Sequence, residues 1–231
     1  MSNNYNSILQ TNNTDLQAIL NTINELPEAG GNTSNEDALL MGTTTTFTND
    51  RVTQIGDYKF YYCTTLTSVS FPNVISVGES TFGNCWYLTT ANLPKATTIK
   101  SYAFYRCTRL TSINLPNVTN IMTGAFSSCT GLTTVNFPVL NSLGQSAFNG
   151  CSALAVADLG TVKSIGSYAF QYCSSLKTIY LRGSTVCTLN NSLNFVGNSA
   201  NISIFVPASL VSSYKTATNW RYFSSKIFSI T

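Results

Sequence analysis

The stretch that decides the fold is residues 107–129, CTRLTSINLPNVTNIMTGAFSSC, which runs from one cysteine to the next. Cysteines recur every 22 residues, at Cys63, Cys85, Cys107, Cys129, Cys151 and Cys173. Phe60, Phe82, Phe104, Phe126, Phe148 and Phe170 each stand three before a cysteine, and Leu66, Leu88, Leu110, Leu132, Leu154 and Leu176 each stand three after. Two further apolar rows follow: Val69, Ala91, Ile113, Val135, Ala157, Ile179, then Phe71, Leu93, Leu115, Phe137, Leu159, Leu181. The unit reads C-x-x-L-x-x-[IV]-x-[LF]-P-x-[VA]-x-x-[IV]-G-x-x-A-F-x-x.

One such unit cannot bury its own apolar positions, whereas a stack of them can, so a strict period of this length predicts a solenoid. In L-x-x-I-x-L the last two apolar residues alternate with polar ones, the period-2 mark of a strand with one buried face. Pro72, Pro94, Pro116 and Pro138 end that strand by removing a donor and fixing φ. One strand per coil would pair in parallel with its neighbours at about 4.8 Å. The I-G-x-x-A-F part then returns on the opposite side as a short turn or helical piece. Its phenylalanine row would form an aromatic spine.

The unit resembles the BspA-type leucine-rich repeat, found widely in bacterial surface proteins, and the resemblance covers residues 52–182 in six copies. It implies a leucine-rich repeat solenoid with one parallel sheet. Gly160 and Arg182 stand where Pro is expected, and Lys100 and Met122 where the turn Gly is expected; local loosening is expected there.

The ends depart from the period. Residues 1–28 read as an N-terminal helix, and Tyr5, Leu9, Asn12, Leu16, Ile19, Ile23 and Leu26 follow a 4-3 spacing over residues 5–26. This helix is either a cap on the stack or a short coiled coil that makes a homo-oligomer, and both readings stay open. Residues 29–51 read as a linker at Gly30-Gly31 and a degenerate first repeat, with a strand at 43–49. Residues 183–231 read as a C-terminal cap. There Ile202 and Ile204 match Ile179 and Leu181 at a spacing of 23, residues 208–216 form a helix with Leu210, Val211 and Tyr214 on one face, and Trp220, Tyr222, Phe223, Ile227 and Phe228 cover the last coil. The stretch VPASLVSSYKTATNW with the following SSKI resembles a C-terminal cap common to such repeat proteins of gut-type bacteria and their prophages. The opening LQAILNTINELPEAG resembles N-terminal segments of phage tail-associated proteins.

Composition excludes much chemistry. The chain has 231 residues and no histidine, which removes Ser-His and Cys-His catalysis and every His-bearing metal site. Charged residues are 9%, against roughly 25% in ordinary soluble proteins, and Thr, Ser and Asn take their place. No cofactor or metal is expected. Asp57, Glu79 and Asp158 read as too few and too scattered for a glycosidase pair. There is no basic run or zinc finger for nucleic acid, and no run of 18 apolar residues that would insert in a membrane. No signal peptide is visible in this chain. Six acids and no base lie in residues 1–50, while all twelve bases lie after. The six periodic cysteines predict a buried, reduced ladder whose thiols contact loop backbone; Cys187 lies outside the period.

These observations point to a non-enzymatic binding or structural protein. In leucine-rich repeats the polar strand positions form the concave sheet surface, and that resemblance gives the candidate ligand-binding face: Ser68, Thr90, Ser112, Thr134 and Thr178 in one row, and Ser70, Asn92, Asn114, Asn136, Asp158 and Tyr180 in the next. Such a face suits a protein or glycan surface. The aromatics Tyr62, Trp86, Tyr105 and Tyr172 form a rival contact surface. Attachment by a phage tail or related particle is the leading expectation, and a bacterial cell-surface adhesion module the alternative. The expected location is therefore a virion or a cell surface.

Overall fold

A computed structural model describes residues 46–230. The strands come in two alternating sets. The first set comprises β1 (Thr46–Thr48), β3 (Ser68–Ser70), β5 (Thr90–Asn92), β7 (Ser112–Asn114), β9 (Thr134–Asn136), β11 (Val156–Asp158), β13 (Thr178–Tyr180), β15 (Ser203–Val206) and β16 (Ile227–Ser229). The second comprises β2 (Gln54–Ile55), β4 (Ser76–Val77), β6 (Thr98–Ile99), β8 (Asn120–Ile121), β10 (Ser142–Leu143), β12 (Ser164–Ile165) and β14 (Thr188–Leu189). Every pairing is parallel and joins successive coils. The register follows the sequence period, as in Val69↔Ala91 and Ala91↔Ile113.

The solenoid class agrees with the sequence, and the expectation of a single strand per repeat needs one correction. Each coil carries a second, two-residue strand on the side assigned to turns. It forms because one buried residue, such as Val77 or Ile99, lies against its counterpart on the preceding coil, and the following N–H also reaches back, as Gly78 N–H does to the Ile55 carbonyl at 2.8 Å.

The third flank is a run of tight turns with no helix. Tyr58, Phe60 and Tyr62 N–H groups donate to the Glu79, Thr81 and Gly83 carbonyls of the next coil, each at 2.8 Å, and the pattern repeats along the stack. Two residues per coil stand at positive φ, in one row of Tyr58, Ser80, Tyr102, Gly124, Ser146 and Tyr168 and another of Tyr62, Asn84, Arg106, Ser128, Gly150 and Tyr172. Those left-handed residues break any helix and cost about 1 kcal/mol or more each when not glycine. The ladder of interchain-like bonds between coils offsets that strain.

Side-chain rows fill the interior. The Phe60, Phe82, Phe104, Phe126 and Phe148 rings stack with centroids 5.1–5.2 Å apart. The spine continues through Phe170 to Phe195 at 5.6 and 6.1 Å, and it ends against Trp220 and Phe223. All seven cysteines are free and buried. The Cys85, Cys107, Cys129, Cys151 and Cys173 thiols each donate to a phenylalanine carbonyl of the preceding coil at 2.9–3.1 Å. The reduced ladder is thus a row of satisfied donors.

Gly160 and Arg182 do not loosen the stack. Gly160 sits at φ +50, where a Cβ would lie 2.2 Å from the Pro138 carbonyl oxygen. Its N–H donates to Asp158, and Arg182 N–H donates to the Gly160 carbonyl at 2.6 Å. The turn position of Lys100 is likewise tied: its ammonium reaches across Gly78 to Asp57, two coils away, at 3.2 Å. The C-terminal spacing is 25 residues, a slip of three against the period of 22, with Ile179 opposite Ile204 and Tyr180 opposite Phe205. Insertions before β14 and around the 3-10 turn Ser192–Phe195 account for it.

Near the N-terminus β1 pairs with β3 at a spacing of 22, Phe47 opposite Val69, so Thr46–Thr48 of the 43–49 stretch is strand. The helix over 5–26 and the linker lie outside the described residues. The C-terminal segment folds as 3-10 turns at Ala208–Leu210 and Trp220–Lys226 around one helix, α1 (Val211–Thr216). Tyr214, Trp220 and Ile227 are buried over the last coil, whereas Tyr222 and Phe228 are exposed rather than covering it. Cys187 anchors this cap through its backbone: its N–H donates to the Tyr214 hydroxyl at 2.9 Å and its carbonyl accepts from Trp220 Nε1 at 2.6 Å.

Candidate functional site

The strand flank aligns the polar positions in register. Ser68, Thr90 and Ser112 stand beside one another, as do Ser70, Asn92 and Asn114. Thr134, Val156 and Thr178 continue the first row, and Asn136, Asp158 and Tyr180 the second. All the candidate residues therefore lie on one face, set there by the alternation that buries Val69, Ala91, Val135, Ala157 and Ile179 beneath them.

That face is partly self-satisfied. Thr90 donates its hydroxyl to Ser68 at 2.9 Å, Asn92 its amide to Ser70 at 3.1 Å, and Asn114 its amide to Asn92 at 2.8 Å. Just before the strand, Thr89 and Thr111 hydroxyls donate to the Thr67 and Thr89 carbonyls. Asp158 is engaged by Arg182, with Nη2 at 2.6 Å and Nε at 2.8 Å, and Arg182 lies 4.8 Å from the Tyr180 ring centroid. The middle of the face, at Thr90, Asn92, Ser112, Asn114, Thr134 and Asn136, is exposed, while Asp158, Thr178 and Tyr180 are half-buried.

One irregularity is invisible in the repeat. The strand flank is not one sheet but two, β1-β3-β5-β7 and β9-β11-β13-β15-β16, with no ladder between β7 and β9. The second ladder runs unbroken past this point, since β8 pairs with both β6 and β10. Phe104 and Phe126 remain stacked there at 5.2 Å. The coils therefore part on the strand side alone. At the corner before β9, Gly131 lacks a Cβ that would meet the Thr108 carbonyl oxygen at 2.8 Å; its counterparts Tyr87, Arg109, Ala153 and Ser175 all carry one. Gly131 permits a close approach at that corner, and the strand ladder is interrupted beside it. A cleft of about 250 Å³ opens along the seam, walled by β7, β9, Pro116 and Pro138.

The rival surface is on the turn flank. Tyr62, Trp86 and Tyr172 are exposed there. Tyr62 packs edge-on against Trp86 at 5.8 Å and against Tyr61 at 4.7 Å. Tyr105 is half-buried beneath Arg106. Tyr58, Tyr61 and Tyr87 extend this cluster. They were missed because their positions vary between repeats, although Tyr58 falls in the same row as Tyr102 and Tyr168.

Catalytic chemistry has little to work with among the described residues. No three His, Cys, Asp or Glu residues could hold a metal ion. Burial pushes the Cys63, Cys173 and Cys187 thiols up to about 12. Asp57 and Glu79 are not scattered: they are one repeat apart, and Asp57 accepts the Glu79 backbone N–H at 2.7 Å. That bond, helped by Lys100, holds the exposed Asp57 carboxyl below its ordinary range. Both acids are tied: Asp57 to Lys100 and the Glu79 backbone, and the half-buried Glu79 to the Tyr58 hydroxyl at 3.3 Å. A larger crevice of about 470 Å³ lies at the C-terminal cap, between residues 186–190 and 217–220. Its polar wall atoms at Cys187 and Leu189 are already bonded to Trp220 and Asn219. No described helix is long and apolar enough to cross a membrane.

A stacked parallel solenoid with a polar strand face defines a leucine-rich repeat protein. The sequence profile of the BspA type leucine rich repeat region matches residues 42–155 and 97–229, and the chain belongs to that family. Among solved structures it is similar to a leucine-rich repeat protein of T. pallidum, with 26% identity and a TM-score of 0.59 over 73% of this chain and 81% of that one. It is also similar in fold to a leucine-rich repeat protein from Bacteroides ovatus, with 20% identity and a TM-score of 0.50 over 71% of this chain; it spans 54% of that chain. No curated protein matches the sequence.

Proposed function

We propose that the protein is a non-enzymatic recognition module that binds a protein or glycan surface through its strand face. The observation that carries this reading is the set of exposed, uncharged outward positions Thr90, Asn92, Ser112, Asn114, Thr134 and Asn136, which stand in register between β5 and β7 and resume on β9 across the seam. A face of that kind offers donors and acceptors together without a charge to select for ions. The engaged state of Asp57 and Asp158 and the buried thiols support the absence of a catalytic role.

The test is a triple variant, Asn92→Ala with Asn114→Ala and Asn136→Ala, on an array of glycans and extracellular proteins. Binding by the parent chain is expected to weaken at least about tenfold, the cost of a few net hydrogen bonds. Unchanged binding by the variant removes the strand face and leaves the Tyr62–Trp86 cluster as the contact surface.

Display on a bacterial surface is the carrier this family favours. Attachment within a phage tail or related particle is the alternative, supported by the resemblance of the opening segment, which lies outside the described residues. Light scattering of the full chain separates them. A defined homo-oligomer is the result expected of a particle component built on the heptads of residues 5–26, and a monomer removes that reading.

A further inference from the structure

We propose that the seam between β7 and β9 is a ligand slot, which takes a hydroxyl-bearing arm of a neutral glycan laid along the strand face. The proposal rests on the strand-face reading and gives it a location and a ligand class.

Two backbone bonds recur at the other steps of this flank. The residue after each strand donates forward, as Phe71, Leu93, Phe137 and Leu159 do to Asn92, Asn114, Asp158 and Tyr180 carbonyls at 2.9–3.1 Å. The residue before each strand donates back, as Thr89, Thr111 and Ala155 do to Thr67, Thr89 and Thr133 carbonyls at 2.8–2.9 Å. At the seam the counterparts would be Leu115 N–H to the Asn136 carbonyl and Thr133 N–H to the Thr111 carbonyl. Neither forms, since the two sheets end there. Leu115 is only 2% exposed, so its N–H is a buried donor without a protein acceptor. Buried main-chain groups are rarely left so, and when they are a ligand or ordered water completes them.

The walls select the ligand class. No ionisable side chain lines the cleft, so an ionic group would enter without a counter-charge. A purely apolar group would leave the orphaned N–H and C=O unmet. An extended peptide strand would need about 4.8 Å on either side, which the continuous β6-β8-β10 ladder and the 5.2 Å Phe104–Phe126 stack deny. A one-sided wedge admits an arm, not a strand. A pyranose hydroxyl or hydroxymethyl can both donate and accept. The C–H surfaces of Ile113, Pro116 and Pro138 beside the amides of Asn114 and Asn136 match the mixed apolar and polar faces of a sugar ring.

The test is amide hydrogen exchange on the full chain, read residue by residue by NMR, with cellohexaose, maltohexaose and chitohexaose as probes. In the free protein Leu115 N–H is expected to exchange at least about a hundredfold faster than Leu93 or Phe137 N–H. One of the three sugars is expected to slow Leu115 about tenfold or more. Asn136→Ala is expected to abolish that slowing, and Thr178→Ala, two coils beyond Asn136 and outside the cleft lining, to leave it within about twofold. Leu115 protected like Leu93 in the free protein means the seam is closed, and overturns the proposal. So does exchange at Leu115 that none of the sugars changes, which marks a slot filled by water only. Equal loss of sugar binding in Thr178→Ala and Asn136→Ala overturns the slot while leaving the strand-face reading intact. Unaltered sugar binding in both variants and in the triple variant overturns both.

Discussion

Phe126→Ala is expected to be the most damaging single substitution in the array, lowering stability by about 3–5 kcal/mol. For a chain of this length that corresponds to a fall in Tm of roughly 6–20 °C. The ring is fully buried and stacks 5.2 Å from both Phe104 and Phe148, so its loss strips two coil-to-coil interfaces together. The effect is sharpened at this step because β7 and β9 share no ladder, and the aromatic spine carries more of the contact there. Phe126→Leu, which keeps most of the volume, is expected to cost under about 1.5 kcal/mol. Thermal melts of the two variants followed by circular dichroism check the ordering, and equal Tm values would show that the spine is not what joins these coils.

Alkaline unfolding is the second large effect. A thiol whose ionisation is suppressed in the fold stabilises the protein fully below its unfolded value, and that stability is lost as pH rises toward the folded value. The window here runs from 9.0, the ordinary value, to about 12 for Cys63, Cys173 and Cys187. At pH 11 each of those three costs on the order of 3 kcal/mol. The ladder thiols of Cys85, Cys107 and Cys151 are held well up by the same burial, with a further contribution from neighbouring thiols, and the buried Tyr214 hydroxyl is pushed up to about 12. Against a total stability of about 5–15 kcal/mol, the midpoint of a pH titration is expected between about pH 10 and 11. The same thiols are expected to resist a disulfide-exchange reagent at pH 8 until denaturant is added. A folded protein at pH 12, or rapid native labelling of several cysteines, would contradict the buried ladder.

The sequence disclosed the period and each interior row, because a repeated apolar position on every coil leaves a trace that chance cannot copy. It disclosed the alternation that places Asn92, Asn114 and Asn136 outward. The second ladder was hidden, since two-residue strands such as Ser76–Val77 are too short for any periodic signature. The left-handed turn rows were hidden as well, because Tyr58, Ser80 and Arg106 occupy positions where glycine would have announced the geometry. The three-residue slip misled because Ile202 and Ile204 offered a plausible match at a spacing of 23, while the pairing is decided by the insertions that precede them. Asp57 and Glu79 read as scattered although 22 residues separate them, and the fold sets them side by side. The seam lies beside Gly131, one small residue among variable neighbours, and shows only in which strands pair.

The two left-handed rows also divide the chain's freedom to vary. Neither contains Val, Ile or Thr, although Thr is abundant everywhere else in the sequence, as expected where branching at Cβ clashes with that backbone. The inner rows are closed to polar groups and the left-handed rows to branched ones. The outward strand positions carry neither prohibition, so shuffling or duplicating repeats can rewrite them without disturbing the scaffold. A lineage, or an engineer's library, that diversifies this protein has one surface on which novelty comes without a folding penalty.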